Sequence, residues 1–135
     1  MITAAEIKVK YPHHLENLEV GDGWVELVDE FIQAVFAHYE KIGRSELETS
    51  FKLLLAYQKF GQLRLREASD VDIEEIIDFF ERKSFSVCEE CGQPGKLHVT
   101  LGYWHTICDS HKGRNSLRPD DAAKLGFCCS TCVGL

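Results

Sequence analysis

The sequence predicts an α+β fold in which two amphipathic helices pack on a small antiparallel sheet and a zinc ribbon follows towards the C-terminus. Three observations predict it. Apolar residues recur at helical spacing in two stretches. Between these stretches lies an alternating segment interrupted by Lys59-Phe60-Gly61. Two Cys/His pairs, CEEC at 88–91 and CDSH at 108–111, stand 16 residues apart. The 135 residues suit one core with a small metal-stapled appendage, since domains commonly run about 100–150 residues. An apolar fraction of 44% beside 27% charged residues marks a globular chain, neither disordered nor fibrous.

The first helix is expected from Trp24, where Trp24, Leu27, Val28, Phe31, Val35, Tyr39 and Ile42 recur on one stripe. Asp22 and Gly23 stand where a cap belongs, and Gly43 stands where the helix should end. The opposite face carries Glu26, Asp29, Glu30, Gln33 and Glu40, making it an acidic surface. Phe51, Leu53, Leu55 and Tyr57 then alternate at period two, and after Gly61 the alternation resumes at Leu63 and Leu65. This reads as a hairpin with a tight glycine turn. The helix formers of LLLAYQK leave a helical reading of the first strand open.

A second helix is expected from about Val71 to Ser84, capped by Ser69 or Asp70, with Ile73, Ile76, Ile77 and Phe80 inward. LHVTLGYWHTIC reads as two short strands around Gly102, and Asp120 after Pro119 is placed to cap a last short helix over Asp121 to Leu125. The expected division is therefore an acidic α+β core over 1–84, with the ribbon and a short C-terminal helix and tail over 85–135 packed on it.

The chemistry lies in the two knuckles. In each, two ligand-type residues flank two others, so that both side chains reach one ion from a single turn, and two such turns across a hairpin complete a tetrahedron. Cys88, Cys91, Cys108 and His111 are the expected metal ligands and Zn2+ the expected structural cofactor. A closed Cys3His set leaves no open position for water, which separates a structural from a catalytic zinc. A redox reading of Cys88 and Cys91 needs a βαβ surrounding that the sequence lacks. His105, three residues before Cys108, is a weaker ligand candidate, because a strand position beside Trp104 more often carries a packing histidine. Tyr103 and Trp104 are candidates for a partner contact or for the ribbon's small core. Cys128, Cys129 and Cys132 lack a second pair, and could supply a ligand, cap the site or stay as thiols.

Charge narrows the partner. Residues 1–81 hold 17 acidic against 8 basic side chains and residues 82–135 hold 5 against 7, within a net charge of −7. Such a chain is poorly suited to phosphate backbones and suits a basic protein partner, with Glu26, Asp29, Glu30 and Glu40 as candidate contacts. No apolar run approaches the roughly 20 residues that span a bilayer, and the first residues lack the pattern of a signal peptide. A cytoplasmic location is expected. Neither a phosphate loop, a nucleophile elbow nor HExxH occurs, so no enzymatic activity is expected.

Two segments carry a resemblance: KFGQLR at 59–64 and SFSVCEECGQPGKLHVTLGYWHTICDSH at 84–111. They resemble a group of small phage and bacterial proteins, most without assigned function, that pair a KFGxLR segment with SxxCExCGxPG and a GWxxxC knuckle. Gly102-Tyr103-Trp104 carries one residue more than GW. Some members look like immunity proteins of secreted antibacterial toxins, including ADP-ribosylating ones. The resemblance covers about half of the chain and implies a binding protein that neutralises a toxin domain. A phage or regulatory zinc ribbon acting on nucleic acid or the transcription and translation machinery is the alternative.

Overall fold

The computed structural model describes residues 1–45, 50–112 and 116–120. Among them are three α-helices, α1 (Ala4–Lys10), α2 (Val25–Lys41) and α3 (Glu74–Lys83), and six strands in two small sheets. The strands are β1 (Leu18–Glu19), β2 (Lys52–Lys59), β3 (Gln62–Ala68), β4 (Lys96–Thr100), β5 (Tyr103–Ile107) and β6 (Ser116–Leu117). The mixed helix-and-sheet class is as expected, with corrections in its parts.

The first correction is at the start of the chain. Thr3 accepts the Glu6 amide through its hydroxyl at 3.1 Å and so caps α1, a helix the sequence analysis did not anticipate, whose Ile7 is fully buried. The first sheet has the order β1-β2-β3, and β1 runs parallel to β2, with Leu18 opposite Ala56. The sheet is therefore mixed rather than antiparallel. A two-residue strand shows no periodicity that a sequence pattern can register.

The long helix α2 follows a short 3₁₀ turn at Asp22–Trp24, and Asp22 makes no side-chain cap. Trp24, Leu27, Val28, Phe31, Val35 and Tyr39 are buried as expected, together with Val25, Ile32 and Phe36. Ile42 falls past the helix end and is 47% exposed. Gly43, with φ +85, stands just past the end of α2 and takes the left-handed conformation that closes many helices.

β2 and β3 form the expected hairpin, with one irregularity. The register shifts between Leu53 and Leu55, so Leu54 is an inserted residue. A bulge of this kind exchanges the faces of everything beyond it. Phe51 and Leu53 point into the core, and after the bulge Ala56 does so, while Leu55 and Tyr57 are only half-buried. The core is closed by α2 and α3, with the Phe31 ring edge-on to Phe51 and Phe80 at 5.9 Å each.

The helix α3 starts later than expected, at Glu74. The Asp72 carboxylate accepts the Glu74 amide at 3.0 Å. Asp70 serves elsewhere, accepting hydrogen bonds from the Tyr39 hydroxyl and from Arg44. The last turn of α3 covers the free edge of β3: the Leu65 amide donates to Glu81 Oε2 and the Leu63 amide to Ser84 Oγ, each at 2.9 Å. Side chains thereby satisfy an edge that would otherwise invite pairing with another chain.

β4 and β5 form the second expected hairpin, and β6 pairs with the other edge of β4. This sheet has a small apolar cluster of its own: Val99 and Trp104, with Leu97 and Leu117 packed against them. It meets the first hairpin at the Phe60-Gly61 turn, where Thr106 Oγ1 donates to the Gly61 carbonyl and Gln58 Nε2 to the Trp104 carbonyl, both at 2.6 Å. No helix among the described residues is long and apolar enough to cross a membrane.

Candidate metal centre

The first knuckle follows the 3₁₀ turn after α3. Val87 and Pro94 bridge in antiparallel fashion, the Cys88 amide donates to the Gln93 carbonyl at 2.8 Å, and the Gly92 amide returns to the Cys88 carbonyl at 2.9 Å. Gly92 has φ +79, a conformation in which a Cβ is strained. At the second knuckle the His111 and Lys112 amides both donate to the Cys108 carbonyl at 3.1 Å. The two turns face each other across the base of the β4-β5 hairpin, linked by Glu89 N–H donating to the Thr106 carbonyl at 3.0 Å.

These turns bring Cys88, Cys91, Cys108 and His111 together, with all four ligand atoms within 4.8 Å of one another. Cys91 Sγ lies 3.7 Å from Cys108 Sγ, while His111 Nδ1 lies 3.2 Å from Cys108 Sγ and 3.8 Å from Cys88 Sγ. Three cysteines and a histidine are therefore close enough to hold one metal ion. Cys88 is buried, Cys91 and Cys108 are half-buried, and His111 is exposed. The hydrogen bond with His111, followed by the other two cysteines, holds the Cys108 thiol down at about 6. The thiolate is the ligand form of cysteine.

His105 does not join the cluster; its Nε2 is 2.9 Å from Thr100 Oγ1. His98 is buried, with Nδ1 2.8 Å from the Lys96 carbonyl. Cys128, Cys129 and Cys132, and the last helix expected over Asp121 to Leu125, lie outside the described residues.

The expected partner contacts divide. Glu26, Glu30 and Glu40 are exposed on α2, with Glu30 paired to Lys83 at 3.1 Å. Asp29 is half-buried beneath the end of α1, accepting the Tyr11 hydroxyl and lying 3.0 Å from Lys10 Nζ. Of the two candidates for a partner contact or the ribbon's small core, Tyr103 is 63% exposed, whereas Trp104 is 4% exposed and packs in the Val99 cluster. Alternation along β5 sends the two rings to opposite faces.

The first knuckle rests on contacts that its own spacing does not encode. Gly23 donates its amide to the Glu89 carbonyl at 2.7 Å, Gly21 donates to Glu89 Oε2 at 3.0 Å, and Trp24 Nε1 donates to the Val87 carbonyl at 2.8 Å. Burial pushes the Glu89 carboxyl upward, an effect that the Gly21 amide opposes. The signal was Gly21-Asp22-Gly23-Trp24, two glycines ahead of an aromatic at a helix start, which capping chemistry alone does not require. Compared with protein-family models, curated proteins and solved structures, the chain matches none of them.

Proposed function

We propose that this chain is a non-enzymatic cytoplasmic binding protein, stabilised by one structural zinc ion, that neutralises a basic protein partner: the toxin domain of a secreted bacterial antagonist. The zinc reading is supported by the donor set and its spacing. With Zn–S near 2.3 Å and Zn–N near 2.0–2.1 Å, a regular tetrahedron has S–S edges of about 3.8 Å and S–N edges of about 3.6 Å. The separations of 3.7 Å between Cys91 and Cys108 and of 3.2 and 3.8 Å from His111 to two sulfurs lie close to that figure. Four protein ligands would fill the coordination shell, and thiolate ligation suits a reducing compartment.

The observation that carries the partner reading is the exposed row Glu26, Glu30 and Glu40 on a helix whose other face is fixed in the core. A rigid acidic face favours encounter with a basic surface. The toxin-neutralising role comes from the resemblance of the KFGQLR and cysteine-rich segments. The test is co-expression of the full chain with a toxin domain encoded beside its gene. Protection of the cells together with a purified complex containing one zinc per chain supports the proposal. A neighbouring toxin that neither binds the chain nor loses its toxicity overturns it.

A further inference from the structure

A small cleft of about 190 Å³ opens at the tip of the first hairpin, and four of its five lining residues, Lys59, Phe60, Gln62 and Arg64, come from that tip. Phe85, from the turn after α3, supplies the fifth. Two aromatic and two cationic side chains are among its lining. Lys59 Nζ stands 5.8 Å from the Phe60 ring centre and has no carboxylate partner among the described residues. Arg64 donates to Gln62 Oε1 at 3.3 Å and lies 3.8 Å from Glu81, whose carboxylate is already engaged by the Leu65 amide. Lys59 and Arg64 set against the single carboxylate of Glu81 leave the cleft with a local excess of one positive charge in a chain of net charge −7.

Phe60 supplies an independent observation. It has φ +53 ahead of Gly61 at φ +79, and its side chain is 45% exposed. The first position of such a two-residue turn normally holds Asn, Asp or Gly, and a bulky residue there is an outlier. Neither turn preference nor burial accounts for a phenylalanine here. The second hairpin repeats this turn at Leu101-Gly102, with φ +51 and +86 and Leu101 exposed, so it is the placing of the strained, exposed Phe60 ring against a cleft that points to use of that ring.

We infer that this cleft docks an acidic segment of a partner protein, with a carboxylate between Lys59 and Arg64 and the adjoining apolar side chain against Phe60 and Phe85. Arginine and lysine offer a carboxylate charge-assisted hydrogen bonds, and the rings remove apolar surface from water. One carboxylate needs only the two cations present. A nucleic-acid strand gains affinity by neutralising many phosphates, which the chain's net charge of −7 opposes. The site is separate from the acidic face of α2 and takes the opposite charge, so it stands independently of the proposed function.

The test is a nuclear magnetic resonance titration of the full zinc-loaded chain with a blocked Gly-Asp-Phe-Asp-Gly peptide, its Asn-for-Asp analogue and oligothymidylate. The acidic peptide should give saturable shifts centred on the amides of residues 59–64 and 85, and the analogue none. Lys59→Ala and Arg64→Ala should each weaken binding by about tenfold, as expected for loss of a charge-assisted contact. Phe60→Asn should abolish binding while leaving the unfolding midpoint equal or higher. Absence of saturable shifts at about 5 mM peptide, a concentration that still detects millimolar docking, overturns the inference. So does equal binding of the analogue, or a lower midpoint in Phe60→Asn, which would assign the ring to the fold. Tighter binding of oligothymidylate at the same amides would overturn it in favour of nucleic acid.

Discussion

Replacing Gly23 by alanine adds one methyl group and tests whether the first metal knuckle is seated on the start of α2. A Cβ there would stand 2.1 Å from the Cys88 carbonyl oxygen, 2.4 Å from the Gly92 nitrogen and 2.7 Å from the Cys91 nitrogen. All three are backbone atoms, so no side-chain rotation relieves the overlap. The φ of Gly23 lies outside the left-handed region, and on local grounds alone alanine should stabilise by about 0.4–1 kcal/mol. The neighbouring knuckle therefore decides the sign. Reaching even 3.0 Å from the Cys88 oxygen requires a displacement of about 0.9 Å. That movement breaks the Gly23 bond to the Glu89 carbonyl and strains those made by Gly21 and Trp24. At about 0.5–1.5 kcal/mol for each hydrogen bond, the loss comes to about 2–4 kcal/mol. For a chain of this size, at about 3–5 °C per kcal/mol, the melting temperature should fall by roughly 6–20 °C. The same displacement moves two of the four ligands, so zinc affinity should fall by about 10–100-fold. Thermal unfolding of the metal-loaded protein and competition with a chromophoric chelator measure the two effects. Gly43→Ala, at φ +85 with nothing within 4 Å, is the control, strained in its backbone with metal affinity unchanged. A Gly23→Ala protein with the parental melting temperature and zinc affinity would refute the reasoning.

The remaining predictions address the metal, the acidic face and acid stability. Cys91→Ser removes one of the four ligands, and metal analysis should find zinc lost and the β4-β5 sheet destabilised; full zinc occupancy in this variant would exclude Cys91 as a ligand. Reversing Glu26, Glu30 and Glu40 to Lys should slow association with a basic partner and flatten its salt dependence. The fold should persist because all three side chains are exposed, and an unchanged on-rate at low salt would remove this face from the mechanism. Hydrogen bonds from Arg44, then Ser50 and Tyr39, hold the Asp70 carboxyl down at about 2 against an ordinary 3.8. A carboxyl lowered on folding contributes stability above its unfolded value and loses it as pH falls through the folded one. Asp70→Asn should therefore flatten the acid limb of the stability profile between about pH 4 and 2, and an unaltered limb in urea titrations would contradict the pairing.

What was legible in the sequence is what periodicity and spacing encode. The α2 stripe, the two glycine-turned hairpins and the four ligand-type residues each repeat a local rule over several positions, so one exception does not hide them. What was not legible depends on contacts across the chain. The bulge at Leu54 is invisible in an apolar run whose every residue suits a core. β1 is set beside β2 by backbone bonds that His14, Glu16 and Asn17 exchange with Leu53 and Ala56. Asp29 lies on the outer face of α2 by helical phase, yet α1 covers it with Lys10 and Tyr11. The periodicity of one helix cannot report a second helix laid over it.

These cross-chain contacts also explain why a metal belongs where the ligands meet. The second sheet buries little more than Val99 and Trp104 in its own cluster, and so small an apolar core cannot offset the entropy of ordering its strands. It must borrow order. One source is the hairpin tip, through Thr106 and the Gly61 carbonyl; another is the Gly21–Trp24 turn, through Val87 and Glu89. Both are short polar contacts that hold only if the knuckle keeps its shape. A metal ion held by Cys88, Cys91, Cys108 and His111 would supply that shape, since these residues lie close enough to share one ion across the base of the hairpin. The core around Phe31, Tyr39, Phe51 and Leu63 needs no such help. Trp24 belongs to both units, buried in the large core while its indole N–H holds the knuckle. The first turn of α2 is therefore tied to the candidate metal cluster through Trp24, although in the chain it precedes Cys88 by more than sixty residues.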